Sequence, residues 1–275
     1  MHHNGKKCRE CGHTLPIGMT QCKNPKCRAW NIGASIRVDD STVLMSEVTS
    51  ESVERIPTGL VDLVFGGGKG IARTSVNLLA GEPGAGKTTL SLQLCDVFTD
   101  YFQGKEALYI ANEQSSDEIT ETGGRLILRN RSRIRIVKAM GGVTHDIGDL
   151  LMHYKPCLTI LDSITKWAGE DMALAVLIAQ RIKDYCVVLN SPAILVNQVT
   201  KGGDHSGLEK LQHAVDMTAM FDIMLGSIDE EGNEIPPSKS PRRLMSSKNR
   251  FGPAPEEQYY NMTESGLVLT KKMAA

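Results

Sequence analysis

Eight consecutive residues constrain this chain more than any others. Gly81-Glu82-Pro83-Gly84-Ala85-Gly86-Lys87-Thr88 has the spacing G-x-x-x-x-G-K-[ST]. Before it, Val76 to Ala80 reads as an apolar strand. After it, a helical period places Leu90, Leu94, Val97, Phe98 and Tyr101 on one face. Backbone N–H groups in such a strand, turn and helix point into the turn, and the helix N-terminus adds its dipole, so the segment cradles phosphates. Lys87 is placed to reach the β- and γ-phosphates and Thr88 to bind Mg²⁺, with Thr89 beside it. Gly81 to Thr89 therefore form a candidate nucleotide site.

Three further apolar runs end in polar residues. Leu158 to Asp162 reads as a strand that delivers a carboxylate to the metal. Ala107 to Ala111, followed by Asn112 and Glu113, is a second. Ligands of open parallel sheets bind beyond the carboxyl ends of the strands, which places Glu113 to orient and deprotonate an attacking water, the alternative being a solvated acid. Ala193 to Asn197 ends in Gln198, either a γ-phosphate sensor or a satisfied strand-end amide. Val187 to Val196 reads as a buried strand with its lead-in, too short for the roughly 20 residues of a membrane span. Strands are also expected at 134–138, 221–225 and 242–247, a helix at 171–185, and a closing β-hairpin at 258–269. Strands alternating with helices predict an α/β fold with a mainly parallel sheet.

Four of seven cysteines fall in the first 27 positions. Cys8 and Cys11 form a C-x2-C pair and Cys22 and Cys27 a C-x4-C pair, ten residues apart. Two turns that each present two thiolates close a tetrahedral zinc site with no open position, the structural type. Binding the ion would supply much of the folding free energy of so small a segment. Cys95, Cys157 and Cys186 stand singly in apolar surroundings and read as small buried hydrophobes. Over the whole chain 31 basic residues meet 32 acidic ones, a net charge of −1, so nucleic acid must be met by a local patch. Residues 1 to 31 carry six basic residues and one acid, a surface for DNA or an acidic protein, or one that merely keeps a tiny module soluble. The expected organisation is a zinc ribbon over 1–31, a Ser/Thr/Asp/Glu-rich linker over 32–55 and an ATPase domain over 56–275. The first seven residues lack the apolar core of a secretory signal, which predicts a cytoplasmic protein.

Taken together, these features resemble the bacterial RadA family of the RecA-like ATPase superfamily. The resemblance rests on the ribbon ending Cys27-Arg28-Ala29-Trp30-Asn31, on Arg55-Ile56-Pro57-Thr58-Gly59, on Gly66-Gly67-Gly68, and on the P-loop. It also rests on Tyr109 to Ser115, on Val199-Thr200-Lys201, on His213 to Asp216, and most specifically on Lys248-Asn249-Arg250-Phe251-Gly252. It implies a RecA-like core that uses ATP and Mg²⁺, and a homo-oligomeric ring, a hexamer, acting on single-stranded DNA or branched intermediates in recombination, repair or replication. Helicase or branch-migration activity would follow, with a recombinase or replication protein docked on the ribbon. Lys248 and Arg250 would act on a neighbouring subunit's nucleotide in the manner of an arginine finger. Lys201, Gly202 and Gly203 would contact DNA in a channel and couple it to Gln198, the alternative being a mobile surface loop.

Some traits depart from the pattern. The second cysteine pair is x4 where x2 is usual, Gln198 stands where the family commonly has His, and the stretch after Asp162 is short and acidic. The chain also stops soon after Leu269, where the family continues into a Lon-protease-like domain, so no protease activity is expected. A second reading is a nucleotide-switched oligomeric adaptor whose ribbon docks a partner protein without moving along DNA. A KaiC-like regulatory ATPase would share the core but explains the ribbon and the KNRFG run less well.

Overall fold

The computed structural model describes residues 8, 11–13, 22, 24–27, 53–138, 147–199, 205–228 and 232–270. The expected DNA loop, Lys201 to Gly203, lies outside the described residues, as do residues 32–52 of the expected linker. The chain divides into two compact units, Met1–Ser52 and Val53–Ala275.

The larger unit opens with β1 (Arg55–Ile56), α1 (Asp62–Gly66) and β2 (Ile71–Ala72), with β1 and β2 paired antiparallel. Next come β3 (Val76–Gly81), α2 (Lys87–Tyr101), β4 (Ala107–Ala111), α3 (Ser116–Arg125) and β5 (Ile134–Lys138). They are followed by α4 (Ile147–Tyr154), β6 (Leu158–Asp162), α5 (Ile164–Trp167), α6 (Met172–Leu189), β7 (Ala193–Gln198), α7 (His205–Ala214) and β8 (Met217–Ile223). The chain closes with β9 (Arg242–Asn249) and the hairpin β10 (Glu257–Thr263) and β11 (Gly266–Thr270). Nine strands form one sheet in the order β11-β10-β9-β8-β3-β7-β6-β4-β5. From β8 to β5 all neighbours are parallel, and β9, β10 and β11 add an antiparallel flank. The mainly parallel α/β sheet expected from the sequence is what forms.

Both faces of the sheet are covered, which is why its central strands are buried almost throughout and show no apolar–polar alternation. Tyr109 and Leu79 face a core built with α1, α2 and α3. Leu78, Leu108 and Leu161 face a second core beneath α4, α5, α6 and α7. On α2, Leu90, Leu94, Phe98 and Cys95 are buried as expected, but Val97 is half-buried and Tyr101 is 49% exposed.

The reading of Val187 to Val196 as one strand with its lead-in needs correction. Helix α6 continues to Leu189, Asn190 ends it in the left-handed region (φ 49°), and the strand starts only at Ala193. Val187 and Val188 are 60% and 69% exposed. Apolar composition is continuous across a helix end and a strand start, and composition alone cannot mark that boundary.

Two distant motifs meet in the fold. A Cβ placed on Gly252 would come within 2.8 Å of the Gly67 amide nitrogen and 2.9 Å of its Cα. Only glycine permits that approach. Arg55 lies over the Phe251 ring at 4.8 Å and donates to the Phe251 carbonyl at 3.3 Å, and the Asn249 side chain donates to Val64 O at 3.0 Å. Asn249, Phe251 and Gly252 thus fasten β9 to the entry segment, which is a structural task.

Candidate functional site

The P-loop leaves β3 at the carboxyl edge of the sheet and enters α2 directly. Gly86, at the helix N-cap, has φ 107°, a conformation that disfavours any side chain. Glu82 anchors the loop sideways, its Oε1 accepting from the Ile223 N–H at 3.2 Å. The Lys87 ammonium donates to Gly81 O at 2.8 Å and Glu82 O at 2.9 Å, so it is held against its own loop. Burial pushes the Lys87 pKa down, opposed by the charges of Asp162, Glu113 and Glu82.

Asp162 and Glu113 come from the ends of two other strands. Parallel pairing sets Ala111 of β4 beside Asp162 of β6, and Asp162 beside Val196 of β7. The three strand ends therefore share one edge. Asn112 ties β4 to β6, donating to Ser163 O at 3.0 Å and accepting from the Ser163 N–H at 2.5 Å. Thr165 donates to Asn197 at 2.9 Å, tying in β7. Gln198 donates through Nε2 to Glu113 Oε1. Thr88 donates to Gln114 at 3.3 Å.

Burial raises the pKa of Glu113, and Asp162 adds to the shift; Lys166, Lys87 and Gln198 oppose it. Burial also raises Asp162, opposed first by a hydrogen bond from Tyr109. That bond, Tyr109 OH to Asp162 Oδ2, is 2.6 Å long and fully enclosed. A cavity of about 350 Å³ opens over the P-loop, with Lys87, Thr88, Glu113, Asp162 and Gln198 in its wall beside Arg125 and Met262. Hard carboxylate and hydroxyl oxygens beside an ammonium suit a divalent cation carried with phosphates. Thr88 and Asp162 are the residues that would hold it.

Tyr109, Asn112, Gln114, Arg125 and Met262 were not given roles from the sequence. Tyr109 belongs to a uniformly apolar strand, and only the register of β4 against β6 sets its hydroxyl on Asp162. Arg125 ends α3 and donates to Thr89 at 3.4 Å. Met262 arrives from β10, well over a hundred residues after the P-loop.

Lys248 and Arg250 are not brought to this cavity within one protomer. β9 runs antiparallel to β8, with Met217 opposite Asn249, and Met217 pairs with Asn77 near the start of β3. The pair therefore sits at the amino edge of the parallel strands, across the sheet from the P-loop. Lys248 donates to Gln212 O and Val215 O, both at 2.7 Å, at the end of α7. Arg250, half exposed, meets Asp216 at 3.0 Å. Asp216 also takes Lys183 at 2.5 Å and the Val76 N–H at 3.1 Å.

In the small unit, the Sγ atoms of Cys8, Cys11, Cys22 and Cys27 all lie within 4.8 Å of one another. Cys8 and Cys27 are 3.8 Å apart and Cys11 and Cys22 3.6 Å. Four sulfurs at the Zn–S distance of about 2.3 Å in a tetrahedron stand about 3.8 Å apart, so the donor set fits zinc.

No family model matches the chain. The DNA repair protein RadA of Aquifex aeolicus (strain VF5) is 30% identical over 277 residues, 94% of this chain and 58% of that protein. RadA of Haemophilus influenzae is 27% identical over 295 residues, 98% and 60% of the two chains, and RadA of Escherichia coli (strain K12) is 28% identical over 290, 94% and 58%. The chain is RadA-like, with a RecA-type core. The fold agrees: a KaiC-like protein of the archaeon Pyrococcus horikoshii OT3 superposes with a TM-score of 0.62 at 16% identity, over 80% of this RadA-like chain and 100% of that one. The chain spans less than two thirds of the length of the RadA proteins it matches. Among the described residues, no helix of this RadA-like protein is long and apolar enough to cross a membrane.

Proposed function

We propose that this chain is a Mg²⁺-dependent ATPase whose turnover responds to single-stranded or branched DNA, serving recombination, repair or replication. The observation that carries it is the gathering of Lys87 and Thr88 from the P-loop with Glu113, Asp162 and Gln198 from three further strand ends around one cavity. Magnesium, when bound with ATP, supplies charge neutralisation at the phosphates. The P-loop amides and Lys87 bind the β- and γ-phosphates, while Thr88 and Asp162 orient the ion. Glu113 positions a water and takes its proton as the oxygen attacks the γ-phosphorus, while the bond from that phosphorus to the bridging oxygen breaks and ADP departs with the electron pair. Its raised pKa suits that task, because a more basic carboxylate takes up the proton more readily. Gln198, bonded to Glu113, sits where a change at the γ-phosphate would pass to the segment that follows, which contains Lys201, Gly202 and Gly203. Lys248 and Arg250 serve a neighbouring subunit's nucleotide in a ring, and the four cysteines hold structural zinc.

Steady-state ATP hydrolysis with increasing single-stranded DNA tests this reading. Stimulation that Lys87→Ala abolishes supports it. Normal turnover in Lys87→Ala would sink the site assignment. A basal rate indifferent to DNA would favour the adaptor reading.

A further inference from the structure

The charge of this chain is unevenly placed. From Thr122 to His145 there is no acidic residue in 24 positions, while Arg125, Arg129, Arg131, Arg133, Arg135 and Lys138 fall within them. Outside this segment and the ribbon, 19 basic residues face 31 acidic ones. The described part of the segment runs from the end of α3 through a 3₁₀ turn (Arg131–Arg133) into β5, which is the last strand at its edge of the sheet. Arg129, Arg131, Arg135 and Lys138 are exposed.

Only part of this charge is neutralised. Arg135 forms a two-pronged ion pair with Glu106 at 2.6 and 2.7 Å. Arg131 donates to the Thr120 carbonyl at 3.2 Å, and Arg133 to Asn130, both neutral acceptors. The nearby carboxylates Asp96 and Asp100 are engaged by Asn130, whose N–H and side-chain amide bond them at 2.7 and 3.3 Å. Among the described residues, the side chains of Arg129 and Lys138 make no hydrogen bond or ion pair. Charged side chains on an edge strand deter pairing with another sheet, but either sign would serve that purpose. Uniform positive sign along an edge is what a polyanion requires.

We propose that this edge binds the phosphate backbone of duplex DNA. Single strands are held by grooves that combine cations with aromatic platforms. Between Thr122 and Lys138 there is no aromatic side chain, the Tyr109 ring of the adjoining strand is buried, and the rings of Tyr154 and Phe102 are already covered by Arg135 and by Arg73 and Lys105. A row of arginines without stacking surfaces fits closely spaced phosphates read without regard to base. The inference rests on the DNA reading above and adds to it a second contact, on the outer edge of the sheet, for the paired arm of a branched substrate.

The test is the doubly reversed variant Arg129→Glu with Arg131→Glu in the full chain. Fluorescence anisotropy with a short labelled duplex and with a labelled single strand is measured across a salt series, beside basal ATP turnover without DNA. Duplex affinity is expected to fall about tenfold or more, with a salt slope shallower by about two, while basal turnover is unchanged. Arg129→Lys with Arg131→Lys keeps the charge and should restore binding. Duplex affinity within about twofold of wild type in the reversed variant, or a wild type that binds single strands and not duplex, would overturn the edge contact alone. A wild type that binds neither form overturns the DNA reading with it.

Discussion

Removing one buried hydroxyl separates metal positioning from nucleotide binding. Tyr109 OH donates to Asp162 Oδ2 at 2.6 Å, with the ring fully enclosed in the core and Asp162 only 6% exposed. Tyr109→Phe keeps the ring and its packing, so no cavity forms and the strand stays in register. What is lost is a short hydrogen bond to an ionised group, worth about 1.5 to 3 kcal/mol. Burial already raises the Asp162 pKa, and this bond is the largest opposing influence. Without it the carboxylate binds protons more readily and loses its fixed orientation. At about 1.4 kcal/mol per factor of ten, the Mg²⁺ concentration for half-maximal ATP hydrolysis should rise by roughly 10- to 100-fold. Binding of a fluorescent nucleotide without Mg²⁺ should change by less than about twofold, since Lys87 and the P-loop amides are untouched. Competition of protons with Mg²⁺ should also set in at higher pH in the variant than in the wild type, because the bond that opposes the upward shift is gone. Wild-type Mg²⁺ dependence in Tyr109→Phe would refute the claim that this hydroxyl holds Asp162 for the metal.

Glu113 has a raised pKa, and as a base it must be ionised, so turnover is lost as pH falls through a value above the ordinary glutamate pKa of about 4.3. Glu113→Gln should lower kcat by about a hundredfold or more and remove that acid limb, and a pH–rate profile checks both. The four thiols should bind one zinc ion per chain, read by metal analysis of purified protein, and Cys22→Ser should lose it. Gly252→Ala drives a methyl group against the Gly67 backbone and should cost about 1 to 3 kcal/mol, seen as a lower Tm with the P-loop chemistry intact.

The phosphate site was legible because its parts are local. Glycines, Lys87 and Thr88 are consecutive, so backbone geometry alone forces them together, and the flanking strand and helix have clear patterns. The same holds for the cysteine pairs, whose spacing is the ligand geometry. Glu113 and Asp162 could be nominated because both follow apolar runs. Their meeting depended on parallel register between β4 and β6. Tyr109 could not be nominated at all, since a tyrosine in an apolar strand looks like core until its neighbour is known. The boundary near Val187 was missed for a related reason: exposed valines at a helix end carry the same composition as a buried strand.

The KNRFG run shows the division most clearly. Its residue types announced an important segment, but sequence spacing says nothing of which sheet edge a strand end reaches. The antiparallel turn from β8 into β9 sends Lys248 and Arg250 to the amino edge, away from their own P-loop, while Asn249, Phe251 and Gly252 lock against α1 and Arg55. Chemistry carried by neighbours in the chain was therefore determined by sequence alone. Chemistry that needs strands from distant positions, or a choice between the two ends of a sheet, was decided only by the tertiary structure, because hydrogen-bond register and strand direction are properties of paired chains.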